Sequence, residues 1–380
     1  MAEVTNYIDR LVAELCPDGV EYRPLSDVVE KNYGGGTPSK AKEEYWGGDI
    51  LWASVGDLSN DLMEIFDTRS KITPAGVSGS STNVVPAGAV IVAIKIAPGK
   101  MKIAGVDLAI NQDIRGLVLN DLMNARFLTY YFRTLRFAGH GTIVKSITNK
   151  RLMDTEVPVP PLEIQEAIVE ILDKFTNLEA ELEAELEART LQYEYYRDSL
   201  FEALDCPRVP LDSFAKIKNG KTYKDFGAGN IPVYGSGGIM TYVDRFSYNK
   251  PTVLIPRKGS LGNLFYLEEP FWNVDTIFYT EIDEEQVIPK FLYYFLKTAH
   301  LEDLNTAGGV PSLTQKVLNK VLIPVPSLEE QQRIVDILDR FDALTGSLSE
   351  GLPAELAARR SQYEYYRDQL LTFPRKGENQ

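Results

Sequence analysis

Val157-Pro158-Val159-Pro160-Pro161-Leu162-Glu163-Ile164-Gln165 and Ile323-Pro324-Val325-Pro326-Ser327-Leu328-Glu329-Glu330-Gln331 are nearly the same text, 166 residues apart in a chain of 380. The first opens a run through Ile168, Ile171, Leu172, Asp173 and Phe175 to Gln192-Tyr193-Glu194-Tyr195-Tyr196-Arg197-Asp198. The second opens a run through Ile334, Ile337, Leu338, Asp339 and Phe341 to Gln362-Tyr363-Glu364-Tyr365-Tyr366-Arg367-Asp368. The offset grows to 170 at the far end, so the second copy carries four extra residues, about one helical turn.

Apolar positions in the first copy step by three and four through Ile168, Ile171, Phe175, Leu178, Leu182, Leu186, Tyr193, Tyr196, Leu200 and Leu204, which predicts one long helix with an apolar stripe. From Leu162 to Leu204 it covers 43 residues, roughly 64 Å of rod at 1.5 Å per residue. The stripe needs a partner, and the other copy is the obvious one. Ser327 with Glu330 makes a capping box at the start of the second helix. Its far half contains Gly346, Gly351 and Pro353, and a proline costs a helix interior ~3 kcal/mol, so a break or kink is expected near Leu352.

The net charge of −14 is unevenly spread. The stretches 1–19, 157–206 and 323–380 carry −3, −10 and −3, while 20–156 and 207–322 carry +1 each. Nearly neutral modules are thus carried on acidic helices, and a neutral module can still present a basic face. Two cysteines and two histidines are too few for a disulfide framework or a zinc site. No apolar run approaches the ~18 residues of a membrane span, and residues 1–19 lack a signal peptide's basic start and apolar centre. A cytoplasmic protein with no membrane contact is expected.

Residues 1–19 read as a helix end, with Ile8, Leu11, Val12 and Leu15 on one face before Cys16-Pro17-Asp18-Gly19, and Leu200 to Pro207 repeats that ending. The first module, 20–156, mixes strands and helices. It has a glycine turn at Gly34-Gly35-Gly36-Thr37-Pro38-Ser39, apolar strands from Val84 to Ile96, a basic break at Pro98-Gly99, a helix from Phe127 to Leu135 and a polar, basic loop from Gly141 to Lys150. The second module, 207–322, keeps that order with weaker identity. Gly220-Lys221-Thr222 stands near Gly36-Thr37, Asn273-Val274-Asp275 answers Asn111-Gln112-Asp113, and Arg257-Lys258-Gly259-Ser260 ends the apolar run Val253-Leu254-Ile255. The organisation is therefore helix end (1–19), module (20–156), helix (157–206), module (207–322), helix (323–380). It is an α+β fold in which two mixed α/β modules are separated by two long, conserved helices, paired as an antiparallel coiled coil in a pseudo-two-fold cyclic arrangement. Repeated scaffolds with divergent loops point to two readers of two different things.

The two proline-rich openings, each following a module, together with Gly36-Thr37-Pro38-Ser39 and Trp46-Gly47-Gly48-Asp49-Ile50, resemble the specificity subunit of type I restriction-modification enzymes. The resemblance covers essentially the whole chain. It implies a non-catalytic, host-defence, DNA-binding subunit whose modules are target-recognition domains, each reading half of a bipartite site in double-stranded DNA. It implies helices that set the spacer and dock two methyltransferase subunits, with restriction subunits joining the full complex. It also implies no cofactor in this chain, with S-adenosylmethionine, ATP and Mg in partner subunits.

Basic, hydroxyl and amide residues on loops are the DNA candidates: Thr37, Ser39, Lys40, Lys95, Lys100, Lys102, Asn111, Gln112, Lys145, Ser146 and Lys150 in the first module, and Lys218, Lys221, Lys224, Arg257, Lys258, Ser260, Asn263, Asn273, Ser312 and Lys316 in the second. Cations and hydroxyls suit phosphates, and amides pair bidentately with adenine. Candidate docking residues on the helices are Leu162, Gln165, Ile168, Leu172, Phe175, Tyr193 and Tyr196, with Leu328, Gln331, Ile334, Leu338, Phe341, Tyr363 and Tyr366. Each Leu-Glu-Ala-Glu unit between Leu178 and Ala188 is a length dial worth ~6 Å, about two base-pair rises.

Three other readings compete with this one. Gly220-Lys221-Thr222 lacks the first glycine of a phosphate loop, since position 215 is Ala215. No Asn-Pro-Pro-aromatic or Asp-Pro-Pro-aromatic tetrapeptide is present, so adenine methylation belongs to a partner. A non-DNA coiled-coil adaptor with two protein- or glycan-binding modules is the alternative favoured by the acidic total.

Overall fold

The computed structural model describes residues 2–60, 62–137, 146–305, 311–345 and 351–377. Nine α-helices lie among the described residues: α1 (Ala2–Leu15), α2 (Pro74–Ser78), α3 (Ala125–Thr134), α4 (Asn149–Met153), α5 (Leu162–Glu202), α6 (Pro289–Thr298), α7 (Gln315–Leu318), α8 (Leu328–Thr345) and α9 (Gly351–Leu370). The chain divides into two compact units, Met1–Ala180 with Ala357–Gln380, and Glu181–Leu356. Helix α5 runs unbroken for 41 residues from the first into the second.

In the first unit, a five-stranded sheet runs in the order Val29–Gly34, Ile114–Leu119, Val90–Ala93, Met101–Ala104, Glu64–Ile65. Its middle strand is apolar throughout because both faces are covered. Val90 and Val92 face the core shared with α3, while Ile91 and Ala93 face a second core with Leu51, Leu108 and Ile110. A four-stranded sheet carries Ser70–Ile72, Trp46–Ala53, Leu108–Ile110 and Asn83–Val85. In the second unit, Ala215–Asn219, Ile277–Ile282, Thr252–Pro256 and Phe265–Leu267 form the corresponding sheet, and Gly238–Val243, Ile231–Gly235 and Trp272–Asn273 a smaller one. Val253 and Ile255 again face the helix-bearing core, and Leu254 the other. The α+β expectation holds.

Each module is tied off by a two-stranded antiparallel ribbon. Tyr22–Pro24 pairs with Glu156–Pro158 in one, and Arg208–Pro210 with Leu322–Pro324 in the other. The chain thus leaves each module beside where it entered, and the proline-rich exit leads directly into α5 or α8.

The first turn of each long helix is locked to its module by a buried glutamine. Gln165 Nε2 donates to the carbonyls of Leu122 (2.8 Å) and Pro160 (2.7 Å), and its Oε1 accepts from Asn124 N–H (2.8 Å). Gln331 donates to Gln286 (2.9 Å) and Pro326 (3.0 Å) and accepts from Ile288 N–H (2.8 Å). Both side chains are fully buried. Two turns on, Tyr130 donates to Asp173 and Tyr294 to Asp339, each at 2.6 Å. Arg126 (3.0 Å) and Lys290 (2.8 Å) reach the same carboxylates. Burial first, then the hydrogen bond to the carboxylate, pushes both tyrosine hydroxyls far above their usual range.

Within each unit the start of one long helix lies antiparallel to the end of another. Phe175 stacks on Tyr366 at 5.9 Å and Arg360 pairs with Glu179 at 2.5 Å in the first, and Phe341 stacks on Tyr196 at 5.8 Å in the second. The capping box at α8 is half present, with Glu330 N–H donating to Ser327 Oγ at 3.3 Å. The second copy comprises two helices, α8 ending at Thr345 and α9 starting at Gly351, so a helix start stands next to Leu352 and Pro353 sits in the first turn of α9 rather than in a helix interior. A proline this close to a helix start removes an N–H that the first turn does not use. Gly346 lies outside the described residues.

Candidate nucleic-acid interface

Loops at one edge of the first module are pinned together by backbone contacts. Gly35 is pressed against the backbone of Ile110 and Asn111, where a Cβ would overlap the Asn111 carbonyl. Gly36 N–H donates to Ile110 (3.0 Å), and the Trp52 indole N–H caps the Gly36 carbonyl (3.1 Å). Thr37, Ser39 and Lys40 follow, all exposed, with the Thr37 hydroxyl bonded to the Gln112 side chain. Asn111 is buried, and its Oδ1 accepts from Asp113 N–H (3.1 Å), fixing the turn. The Asp113 carboxylate then holds Lys95 (2.8 Å) and the Gln112 amide (3.2 Å). Lys95 is bridged to Ser146, with Ile147 N–H donating to Ile94 (2.8 Å).

The second module repeats the backbone contacts of this edge, without the Asn111, Gln112 and Asp113 side-chain bonds. Gly220 is pressed on Asn273 and Val274, Lys221 N–H donates to Asn273 (2.9 Å), and the Trp272 indole caps the Lys221 carbonyl (2.9 Å). Lys258 is bridged to Ser312, and Leu313 N–H donates to Arg257 (2.8 Å). Gly220 therefore matches Gly35, Lys221 matches Gly36, and Val274 rather than Asn273 matches Asn111. This accounts for Gly220-Lys221-Thr222 without a nucleotide: the glycine is there because backbone approaches it.

Several candidates need correction. Asn273 takes the place of Ile110 in the core, where it is fully buried and donates to Ile277 (2.9 Å), so it cannot touch a base. Asn111 is buried as a turn-fixing residue. Lys102 is only 2% exposed, because its strand is covered on both sides, and its ammonium is held by Asn60. Lys218 pairs with Glu281 at 3.2 Å on the sheet.

Lys100, Lys221, Lys224, Lys258, Ser260 and Asn263 are exposed around the turns, with Lys100 donating to Ser59 (3.4 Å) and Asn263 to Ser236 (3.1 Å). Lys150 and Lys316 are also exposed, on the short helices α4 and α7 rather than in a loop. Lys150 lines a cleft with Arg136, Arg151 and Thr155. Lys145 lies outside the described residues.

Sequence reading pairs Ser146-Ile147 with Ser312-Leu313, but two features lie beyond it. Ser146-Ile147-Thr148-Asn149-Lys150 and Ser312-Leu313-Thr314-Gln315-Lys316 are a second repeated signature. Thr148 and Thr314 cap α4 and α7 by accepting from Arg151 N–H and Val317 N–H. The shared letters, 166 residues apart like the proline-rich openings, were the available signal. The other feature is the backbone at Ile96.

The candidate docking residues fare unevenly. Gln165, Ile168, Leu172, Gln331, Ile334 and Leu338 are fully buried and Tyr193 nearly so, all against their own modules or helices. They hold the unit together and offer a partner nothing. Phe175, Phe341, Tyr363 and Tyr366 are half-buried in the ring stacks. Leu162, Leu328 and Tyr196 stay exposed, and the outward positions of the aromatic signature are Tyr195 (70% exposed) and Tyr365 (59%). The i, i+2, i+3 spacing forces this division, since the helix cannot bury all three rings on one seam.

The edge can donate charged and neutral hydrogen bonds from loops set on rigid sheets, the chemistry of phosphate and base recognition. Among the described residues, no group of acidic, histidine or cysteine side chains could hold a metal ion, and no helix is long and apolar enough to cross a membrane.

Comparison with known proteins agrees. The type I restriction modification DNA specificity domain matches residues 17–188 and 205–358. A putative type I restriction enzyme specificity subunit of Haemophilus influenzae is 33% identical over 284 residues, 66% of this chain and 73% of that one. The EcoprrI specificity subunit of Escherichia coli is 30% identical, covering 92% and 93%. In fold, the chain is similar to one from a type I R-M system (TM-score 0.66, 17% identity, 93% and 97% covered) and to the S subunit of M. genitalium (0.57, 19%, 93% and 96%).

Proposed function

The chain belongs to the family of type I restriction-modification DNA specificity subunits, and on that premise we propose that each loop edge reads one half of a split DNA sequence. The observation that carries this is the duplicated edge. The same backbone contacts hold Gly35 and Gly220, Ser146 and Ser312, and a tryptophan indole from a different strand in each module caps the equivalent carbonyl of Gly36 or Lys221, while the exposed side chains they display differ between the modules. A backbone scaffold repeated under divergent loops is what two readers of two sequences require. The exposed lysines suit phosphates and supply affinity, and Thr37, Gln112 and Asn263 have the groups to read base edges.

Members of this family are non-catalytic subunits in general, and DNA, methyltransferase and restriction subunits are their partners. In our reading two methyltransferase subunits dock here, one on each copy of the helix end, and restriction subunits join through them. S-adenosylmethionine, ATP and Mg are held by those partners. The exposed Tyr195 and Tyr365, equivalent in the two copies, support one docking surface per unit. The length of α5, with its Leu-Glu-Ala-Glu units, sets the gap between the half-sites. Family membership disfavours the non-DNA adaptor.

The test is duplex binding by the complex with its methyltransferase as salt is varied. Alanine at Lys221 and Lys258 is expected to weaken binding to every sequence and to lower the slope of log K against log salt by about 0.9 per lost contact. Unchanged slopes would remove those lysines from the interface.

A further inference from the structure

Position 96 is where the two edges differ in a way the fold does not need. Ile96 follows the bridged Lys95, as Gly259 follows the bridged Lys258. Both positions have left-handed backbone, with φ +83° at Gly259 and +68° at Ile96. Glycine adopts that conformation freely, whereas a β-branched residue there is a steric outlier. At Ile96 the strain is sharpened by a one-residue turn, in which Ala97 N–H donates across it to the Lys95 carbonyl at 2.8 Å, the tight γ form that is rare for L-residues. Nothing in the core compensates, because the Ile96 side chain is 60% exposed.

Glycine holds the same left-handed backbone at the equivalent position of the second module, so the fold does not call for an isoleucine here, and its exposed side chain is placed to meet a partner. Strain of this kind gathers at functional sites. Ile96 also sits inside the candidate interface: its neighbour Lys95 shares the Asp113 carboxylate with Gln112, and Lys100 stands exposed four residues on. A side chain with no donor cannot serve a phosphate. On DNA, the apolar group offered beside hydrogen-bonding base edges is the 5-methyl of thymine in the major groove. The geometry points to Ile96 as a specificity-determining residue of the first module that contacts a thymine methyl in one half-site. This rests on the DNA-reading function proposed above.

The test uses the full complex with its methyltransferase. The methylated motif is mapped for the wild type, Ile96→Gly and Ile96→Asn, and thermal midpoints are measured alongside. The expected result is a motif relaxed at one A·T position of one half-site in both variants, the other half-site unchanged, and a midpoint no lower than wild type. On duplexes carrying the mapped motif, replacing that thymine by deoxyuridine should weaken wild-type binding several-fold, up to roughly tenfold for a lost methyl contact, and leave Ile96→Gly unaffected. A wild-type motif that is split while both variants keep it unaltered would overturn the role of Ile96 alone. A fall in midpoint with an unaltered motif would make Ile96 a packing residue. A wild type with no split motif would overturn the reading function itself, and this inference with it.

Discussion

Gln165→Leu replaces a fully buried side chain by one of similar size that can neither donate nor accept. Three groups lose their partner: the Asn124 N–H and the carbonyls of Leu122 and Pro160, all now within 2.7–2.8 Å of the glutamine. A buried group left unsatisfied costs about 1–3 kcal/mol. The carbonyls relax more readily than the N–H, and the added apolar burial offsets part of the loss, so the net expectation is ~3 kcal/mol. For a unit of this size each kcal/mol moves the midpoint by about 2–4 °C, which predicts a fall on the order of 10 °C. The damage should be local, because Asn124 caps α3 by accepting from Arg126 and Phe127 N–H. Hydrogen exchange followed by mass spectrometry should show lost protection in α3 and the first turns of α5 while α6 stays as in wild type. Gln331→Leu should give the mirror image. A loss under ~1 kcal/mol, or exchange spread evenly over both units, would refute the glutamine as the fastening between module and helix.

Gly220→Ala should destabilise the second module, because its Cβ would overlap the Val274 and Asn273 carbonyls; an unchanged melt would contradict the close approach. Lys221→Ala should leave the fold intact and abolish no ATP turnover by this chain, against the phosphate-loop alternative. Tyr195→Ala and Tyr365→Ala, at exposed rings, should shift the midpoint little yet weaken co-purification with the methyltransferase at least several-fold; full recovery of the complex would move docking elsewhere. Tyr130, Tyr193 and Tyr294 are held protonated first by burial. Their folded pKa lies above the unfolded value of about 10, so the stability they contribute is complete below pH 10 and is lost as the pH climbs beyond it. A spectrophotometric titration should show them ionising together with alkaline unfolding. Smooth ionisation of all 20 tyrosines in the folded protein near pH 10 would contradict this.

The scaffold was legible because the same letters stand twice at a constant offset, and period and length alone mark a helix such as α5. The buried role of Gln165 and Gln331 was not. A glutamine in a helix's first turn reads as a surface residue, and only the tertiary carbonyls of Leu122 and Gln286 turn it into a lock. Lys102 misled for a related reason, since its exposure depends on whether the sheet's second face is covered. The one-residue slip that put Asn273 opposite Asn111 came from matching side chains, whereas the modules are matched by which backbone presses on Gly35 and Gly220. The strain at Ile96 has no signature in composition, because any Lys-Ile-Ala-Pro run is compatible with ordinary extended backbone.

The most direct measurement is methylome sequencing of a host expressing this chain with its methyltransferase, with and without one Leu-Glu-Ala-Glu unit of α5. The expected result is a split methylated motif whose two halves are unchanged while the gap shortens by about two base pairs on deletion, as ~6 Å of lost helix requires. A motif with an unchanged gap would retire the helix as the ruler, and the absence of any split motif would contradict the two-reader function itself.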